Sequence, residues 1–250
     1  MRHKRPMKTY WKLNRIYVEN ALAIDKSLSL EADQSHYLTN VLRKKEEDLI
    51  RVFNAKSGEY LARIIKPHKK QTIVAPIEKL RGALNDAPQI TLILPPLKKD
   101  KFDWVIQKSV ELGVTDFQFV NTEHCDVQKI KKDRLEAQIV QAAEQCERLD
   151  IPHIYDVKPL IQVLDEKPIF VAIEREERAK SILHALKEHK NGDNIAFLIG
   201  PAGGFSQAEK EMLLARDNVI PVSLGERILR VETAVSYVLS IFDAAQNCHN

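Results

Sequence analysis

Hydrophobic positions change their period near residue 80. Before it, short apolar or alternating runs at Arg15–Val18, Leu49–Phe53, Tyr60–Ile65 and Thr72–Ile77 lie between turn signals and read as strands. Asn54-Ala55-Lys56-Ser57-Gly58 reads as the loop that joins two of them into a hairpin. The spacing predicts one short helix over Ser35–Arg43, with Leu38, Val41 and Leu42 on one face. The first third is therefore a small β-rich, barrel-like module. A stretch rich in turn formers follows, residues 81–88.

From residue 89 strands and helices alternate, the pattern of an α/β domain with a largely parallel sheet. Strands are expected at Ile90–Leu94, Val114–Val120, Ile169–Glu174, Ile195–Ile199 and Val219–Leu224. Helices are expected at Asp100–Leu112, Lys132–Leu149, Glu177–His189 and Glu232–Gln246. Phe102, Val105, Ile106 and Ser109 share one face of the first, which Gly113 is placed to end. Ser206-Gln207-Ala208-Glu209 fits a capping box that opens a further helix.

Composition adds limits. Of 250 residues, 44% are hydrophobic and 29% charged, which excludes wholesale disorder. No apolar run approaches the ~20 residues that cross a membrane. Three cysteines without a C-x-x-C pair suit a reducing compartment, so the expected location is cytoplasmic. Charge is uneven: residues 1–80 carry a net +8 and residues 81–250 a net −5. A basic N-terminal part fits a nucleic-acid contact as well as it fits a solvated surface. Residues 1–14 read as a flexible basic tail.

Two segments carry candidate chemistry. Gly200-Pro201-Ala202-Gly203-Gly204-Phe205 follows a buried strand, where main-chain N–H groups can approach a ligand closely. It lacks both the Lys-Ser/Thr of a phosphate-binding P-loop and the Gly-x-Gly-x-x-Gly of a dinucleotide site. The second is Leu224-Gly225-Glu226-Arg227-Ile228-Leu229-Arg230-Val231-Glu232-Thr233-Ala234. Ile228-Leu229 between two arginines suggests buried apolar residues that fix the guanidiniums, and Thr233 could cap the last helix. No zinc spacing, H-E-x-x-H or G-x-S-x-G is present, and the adjacent His124 and Cys125 have no third ligand at a recognisable spacing. No metal is expected.

Four runs in order resemble the ribosomal RNA small subunit methyltransferase E family, of the SPOUT class. They are Gln107-Lys108-Ser109-Val110-Glu111-Leu112-Gly113-Val114, Ala142-Ala143-Glu144-Gln145-Cys146 with Arg148, Leu198 to Phe205, and Leu224 to Ala234. Arg15-Ile16-Tyr17-Val18 resembles the family's opening strand, and His36 to Arg43 its next helix. The resemblance implies a PUA-like RNA-binding β-barrel over residues 15–80, a linker at 81–88, and an α/β domain with a trefoil knot over 89–250. It implies methyl transfer from S-adenosylmethionine to N3 of one uridine in 16S ribosomal RNA of the small subunit, by a homodimer.

By the same resemblance Ile173, Glu174, Ile199, Gly200, Pro201, Gly203, Gly204, Leu224, Gly225, Ile228, Leu229, Thr233 and Ala234 would hold the cofactor. The family usually has Glu at Ala202, Arg at His124 and Gly at Glu147. Uracil N3 must lose its proton, so Arg230 or Arg227 is expected to stabilise the anion and Glu111 or Glu232 to assist proton removal. RNA contacts are expected from Arg15, Arg43, Lys44, Lys108, Gln145, Arg148, Lys131 and Lys132, and from the basic run around them at residues 129–134. Two rival readings are a non-catalytic RNA-binding or assembly factor that keeps the fold, and a nucleotide-dependent enzyme that lacks its lysine.

Overall fold

The computed structural model describes residues 10–84, 88–125, 127, 129–164, 167–189 and 194–247. Most of the expected basic tail, residues 85–87 of the expected linker, and Cys248 lie outside the described residues. The chain divides into two compact units, one of residues 1–86 and 143–151, the other of residues 87–142 and 152–250.

The first unit is a five-stranded sheet in the order β1-β3-β4-β5-β2. Its strands are β1 (Arg15–Tyr17), β2 (Leu28–Ser29), β3 (Leu49–Asn54), β4 (Gly58–Lys66) and β5 (Ile73–Arg81). The expected hairpin closes where Asn54 pairs with Gly58. Arg81, placed in the linker by its sequence, is the last residue of β5. The pair at β2 is too short to leave a periodic trace. The expected helix is split: α1 spans Ala32–His36, then Tyr37–Val41 widens into a π turn in which the Leu42 N–H reaches the Tyr37 carbonyl at 3.0 Å. That extra residue turns Val41 outward, 59% exposed, while Leu38 stays in a core with Ile16, Ile50, Val52, Ile64 and Val74.

A buried ion cluster ties residues 143–151 to this sheet. The Glu59 carboxylate accepts from Arg15 Nε at 2.8 Å and Arg81 Nε at 2.5 Å, with Arg51 Nη1 at 3.3 Å. Arg15 then donates to the carbonyls of Ala143 (2.9 Å), Glu144 (3.1 Å) and Arg148 (3.0 Å). Arg81 reaches the Glu147 carbonyl at 2.7 Å and Arg51 the Glu147 carboxylate at 2.8 Å. Arg15, expected at the RNA, is only 5% exposed and stacks on Phe53, so it is a structural cation. Burial lowers its pKa, against the opposing pull of Glu59.

The second unit is a seven-stranded parallel sheet in the order β10-β12-β9-β11-β6-β7-β8. The strands are β6 (Ile90–Leu94), β7 (Asp116–Asn121), β8 (His153–Pro159), β9 (Ile169–Ala172), β10 (Lys180–Ser181), β11 (Ile195–Ile199) and β12 (Val219–Ser223). The helices are α2 (Lys99–Glu111), α3 (Lys132–Gln145), α4 (Ile182–Lys187), α5 (Gln207–Leu214) and α6 (Val231–Asn247). Gly113 ends α2 at φ +90°, as its sequence position suggests. β8 is mostly solvent-facing, so main-chain pairing with β7 defines it rather than apolar alternation. The expected helix at Glu177–His189 begins only at Ile182, because Lys180–Ser181 pair with Val222–Ser223 at the sheet edge. One core layer joins Ile93, Val120, Val171, Leu198, Phe205 and Leu213.

Two stability tests follow from the first unit. Glu147 has φ +63°, a left-handed conformation that favours glycine. Glu147→Ala and Glu147→Gly both lose the Arg51 pair, but only alanine keeps the strain. Alanine should therefore be about 1 kcal/mol less stable than glycine in urea unfolding.

Burial raises the pKa of Glu144, which outweighs the lowering by its bond from the Tyr17 N–H and by Arg15. A raised carboxyl pKa favours the folded state below the ordinary carboxylate range and loses that favour as pH rises through the raised value. Glu144→Gln, which keeps an acceptor for Tyr17, should gain Tm over the parent at neutral pH and lose that gain in acid.

Candidate functional site

The site forms at the carboxyl edge of the parallel sheet. In β9, Ala172 pairs with Ile199 of β11 on one side and with Val222 of β12 on the other. Strands in a sheet lie ~4.8 Å apart, so the chain leaves β9 at Ile173, β11 at Gly200 and β12 at Leu224 side by side. Three segments widely separated in sequence thus leave the sheet at one edge, the carboxyl edge at which open α/β sheets take their ligands.

The glycine loop is anchored from within. Phe205 is buried in the core, and Pro201 is buried beside it. A Cβ on Gly200 would stand 2.9 Å from the Phe205 ring, so the main chain passes closer to that ring than any other residue permits. Gly204, at φ +72°, closes a turn through its N–H to the Pro201 carbonyl at 2.9 Å. The expected capping box is present: Glu209 N–H donates to Ser206 Oγ, and Ser206 N–H to Glu209 Oε2 at 2.9 Å.

The loop after β7 reaches the same place. His124 Nδ1 lies 3.0 Å from the Gly204 carbonyl, and the Glu123 N–H donates to Glu209 Oε1 at 2.9 Å. A Cβ on Gly203 would come within 3.2 Å of the His124 Cβ. Sequence spacing gave His124 no partner, because its contact is with a residue 80 positions away. Thr122 Oγ1, in the same loop, is buried without a hydrogen-bond partner among the described residues.

The second loop differs from expectation. Ile228 is 69% exposed and Leu229 only half-buried, so they do not form a buried brace. Arg227 and Arg230 are exposed, and neither has a carboxylate partner among the described residues. Gly225 takes φ +106°, which bends the chain directly after Leu224. Thr233 lies inside α6 rather than at its cap, with Ala234 buried next to it. Glu232, in the first turn of α6, holds a buried Oε2 with no partner among the described residues.

Other expected residues divide by their partners. Glu111 is held by Lys108 at 2.8 Å. Arg148 pairs with Asp150, and its side chain is only 12% exposed. Lys132 lies 3.7 Å from Asp156, and Arg134 pairs with Asp103. Arg43, Lys129, Lys131 and Gln145 are exposed, Lys44 is half-buried, and Glu174 is exposed beside Arg175. No group of three or more potential metal ligands exists among the described residues.

A family model described as an RNA methyltransferase domain matches residues 85–243, and one described as an RNA methyltransferase PUA domain matches residues 30–77. The ribosomal RNA small subunit methyltransferase E of Rickettsia conorii is 34% identical over 226 residues, 89% of this chain and 92% of that protein. The chain belongs to the ribosomal RNA small subunit methyltransferase E family. The Bacillus subtilis member is 30% identical across 86% of this chain and 88% of its own length. The Neisseria gonorrhoeae member, solved bound to S-adenosyl methionine, superposes with a TM-score of 0.79 at 26% identity, covering 93% of this chain and 97% of that one.

In this family frame, the packing of Gly200 is open to a direct test. Gly200→Ala should cost about 1–3 kcal/mol in urea unfolding, the usual range for overpacking. Adding Phe205→Leu, which removes the ring edge that the new methyl meets, should make the double variant less destabilised than the two single losses added together.

Proposed function

We propose that this chain methylates N3 of a uridine in 16S ribosomal RNA of the small subunit, with S-adenosylmethionine as donor, as a cytoplasmic homodimer. The observation that carries the reading is the register that sets Ile173, Gly200 and Leu224 side by side. The residues present fit the donor. Gly200 and Gly203 run so close to Phe205 and His124 that neither has room for a side chain, and Gly204 leaves open space where one would stand. Glu232 Oε2, without a partner among the described residues, offers an acceptor to a hydroxyl or ammonium group. Ile173, Glu174, Ile199, Gly200, Pro201, Gly203, Gly204, Leu224, Gly225, Ile228, Leu229, Thr233 and Ala234 would hold it. Bound there, it would supply an electrophilic methyl group on a sulfonium sulfur.

The protein's own work is to bind, orient and handle a proton. The guanidiniums of Arg227 and Arg230, exposed and without a carboxylate partner among the described residues, would meet the negative charge that develops on uracil. Arg43, Lys44, Lys131 and Lys132 suit phosphate contacts, while the buried Arg15 and the half-buried Arg148, paired with Asp150, do not. Lys108 serves its pair with Glu111 first. Trp104 of α2 and Tyr237 of α6 stand exposed on helices packed together, which supports a subunit interface there. The placement of β9 between β11 and β12, both later in the chain, is compatible with the trefoil knot.

Mass mapping of 16S RNA from cells with and without this protein tests the reading: one N3-methyluridine should disappear and return on complementation. Arg230→Ala should lower turnover by about 10²–10³-fold, with donor Kd within twofold of the parent by calorimetry. Full turnover in that variant removes Arg230 from the mechanism, and a parent protein that binds no donor removes the reading itself.

A further inference from the structure

We propose that His124 takes the proton from uracil N3, through its Nε2. The inference rests on the methyltransferase reading and assigns the proton acceptor for it. The carboxylates that the sequence offers for this step are poorly placed to act. Glu111 is neutralised by Lys108 at 2.8 and 2.9 Å. Glu232 Oε2 is buried, and the donor contact proposed above already uses it.

His124 has the arrangement that a base requires. A carbonyl can only accept, so the 3.0 Å contact with Gly204 places a hydrogen on Nδ1. In the neutral ring the lone pair is then on Nε2, which has no partner among the described residues. The ring is held against the glycine loop: a Cβ on Gly203 would lie 3.2 Å from His124 Cβ, 3.5 Å from Cγ and 3.7 Å from Nδ1. The supporting backbone is tied separately, because Glu209 of α5 accepts from Glu123 N–H on one oxygen and from Ser206 N–H on the other. Among the described residues, Glu123 and Cys125 flank His124 on its own loop, and Glu209 of α5 binds that loop's backbone. The Cys125 thiol is directed to the Val127 carbonyl at 2.8 Å.

The step balances within the pair. The N3–H bond breaks with its electrons left on nitrogen, the proton forms a bond to Nε2, and the imidazolium later releases it to water. Nitrogen, now carrying the pair, is the nucleophile.

His124→Asn tests this, since an asparagine amide can still donate to the Gly204 carbonyl but has no basic ring nitrogen. The donor Kd should stay within twofold by calorimetry, while turnover on 16S RNA falls by about 10²-fold or more at neutral pH. Turnover of the variant should rise more steeply with pH than that of the parent, because hydroxide then has to remove the N3 proton. Nitrogen-15 spectra of the parent should show the Nδ1–H tautomer at His124. Unchanged turnover and profile in His124→Asn, or an Nε2–H tautomer in the parent, overturns the assignment. A parent that methylates normally beside a fully active variant refutes only His124; a parent without methylation refutes the function and this step together.

Discussion

The register of β9 between β11 and β12 is the constraint on which the rest of the second unit depends. A parallel sheet sends every strand out at the same edge, so neighbours in the sheet become neighbours in the site whatever their distance in sequence. Ala172 faces Ile199 and Val222 across its two ladders, and this alone brings three loops together. A slip of one residue would turn Val171 and Leu198 out of their core layer and into the opposite one, so the fit of both layers protects the register. Phe205 belongs to that same layer, and through it the packing of the core fixes the path of the glycine loop.

In the first unit the corresponding constraint is Glu59. A carboxylate at 1% exposure is tolerable only because guanidiniums surround it, and those guanidiniums in turn need more acceptors than one carboxylate provides. The main chain of residues 143–148 supplies them. The run Ala142-Ala143-Glu144-Gln145-Cys146 therefore owes much of its pattern to docking. Small side chains let the chain approach, and Glu144 receives the Tyr17 N–H at 3.0 Å. Removing Glu59 would leave buried cations unpaired, which is far costlier than losing a surface ion pair.

Strands with continuous apolar runs, such as Ile90–Leu94 and Ile195–Ile199, were legible to the residue because both faces are buried. So was the capping box at Ser206, whose reciprocal bonds are local in sequence. β8 and β10 were not legible, since main-chain ladders at a sheet edge leave no side-chain signature. The break of α1 into a π turn was hidden for a similar reason: one inserted residue rotates Val41 out without altering the apolar spacing. At the site, the glycines and the second loop could be read from composition. The exposure of Ile228 and the contact of His124 with Gly204 could not, because both depend on which loops the sheet order brings together.

The three positions where this chain departs from the pattern its resemblance implies are of two physical kinds. Glu147 occupies a left-handed backbone position that glycine fills without strain, and its carboxylate is bound by Arg51, so a local cost is offset by a local pair. Ala202 and His124 change the site itself. Ala202 belongs to the glycine loop, and His124 is bonded to that loop two residues further on. The rim thereby lacks a carboxylate and carries an imidazole in place of a guanidinium. A guanidinium can stabilise a uracil anion but cannot accept a proton, whereas an imidazole with Nδ1 fixed can accept one at Nε2. Arg227 and Arg230 are exposed and have no carboxylate partner among the described residues, so in the proposed mechanism charge stabilisation does not require a third arginine at residue 124. On the proposed assignment, anion binding stays with the second loop and proton transfer falls to the first.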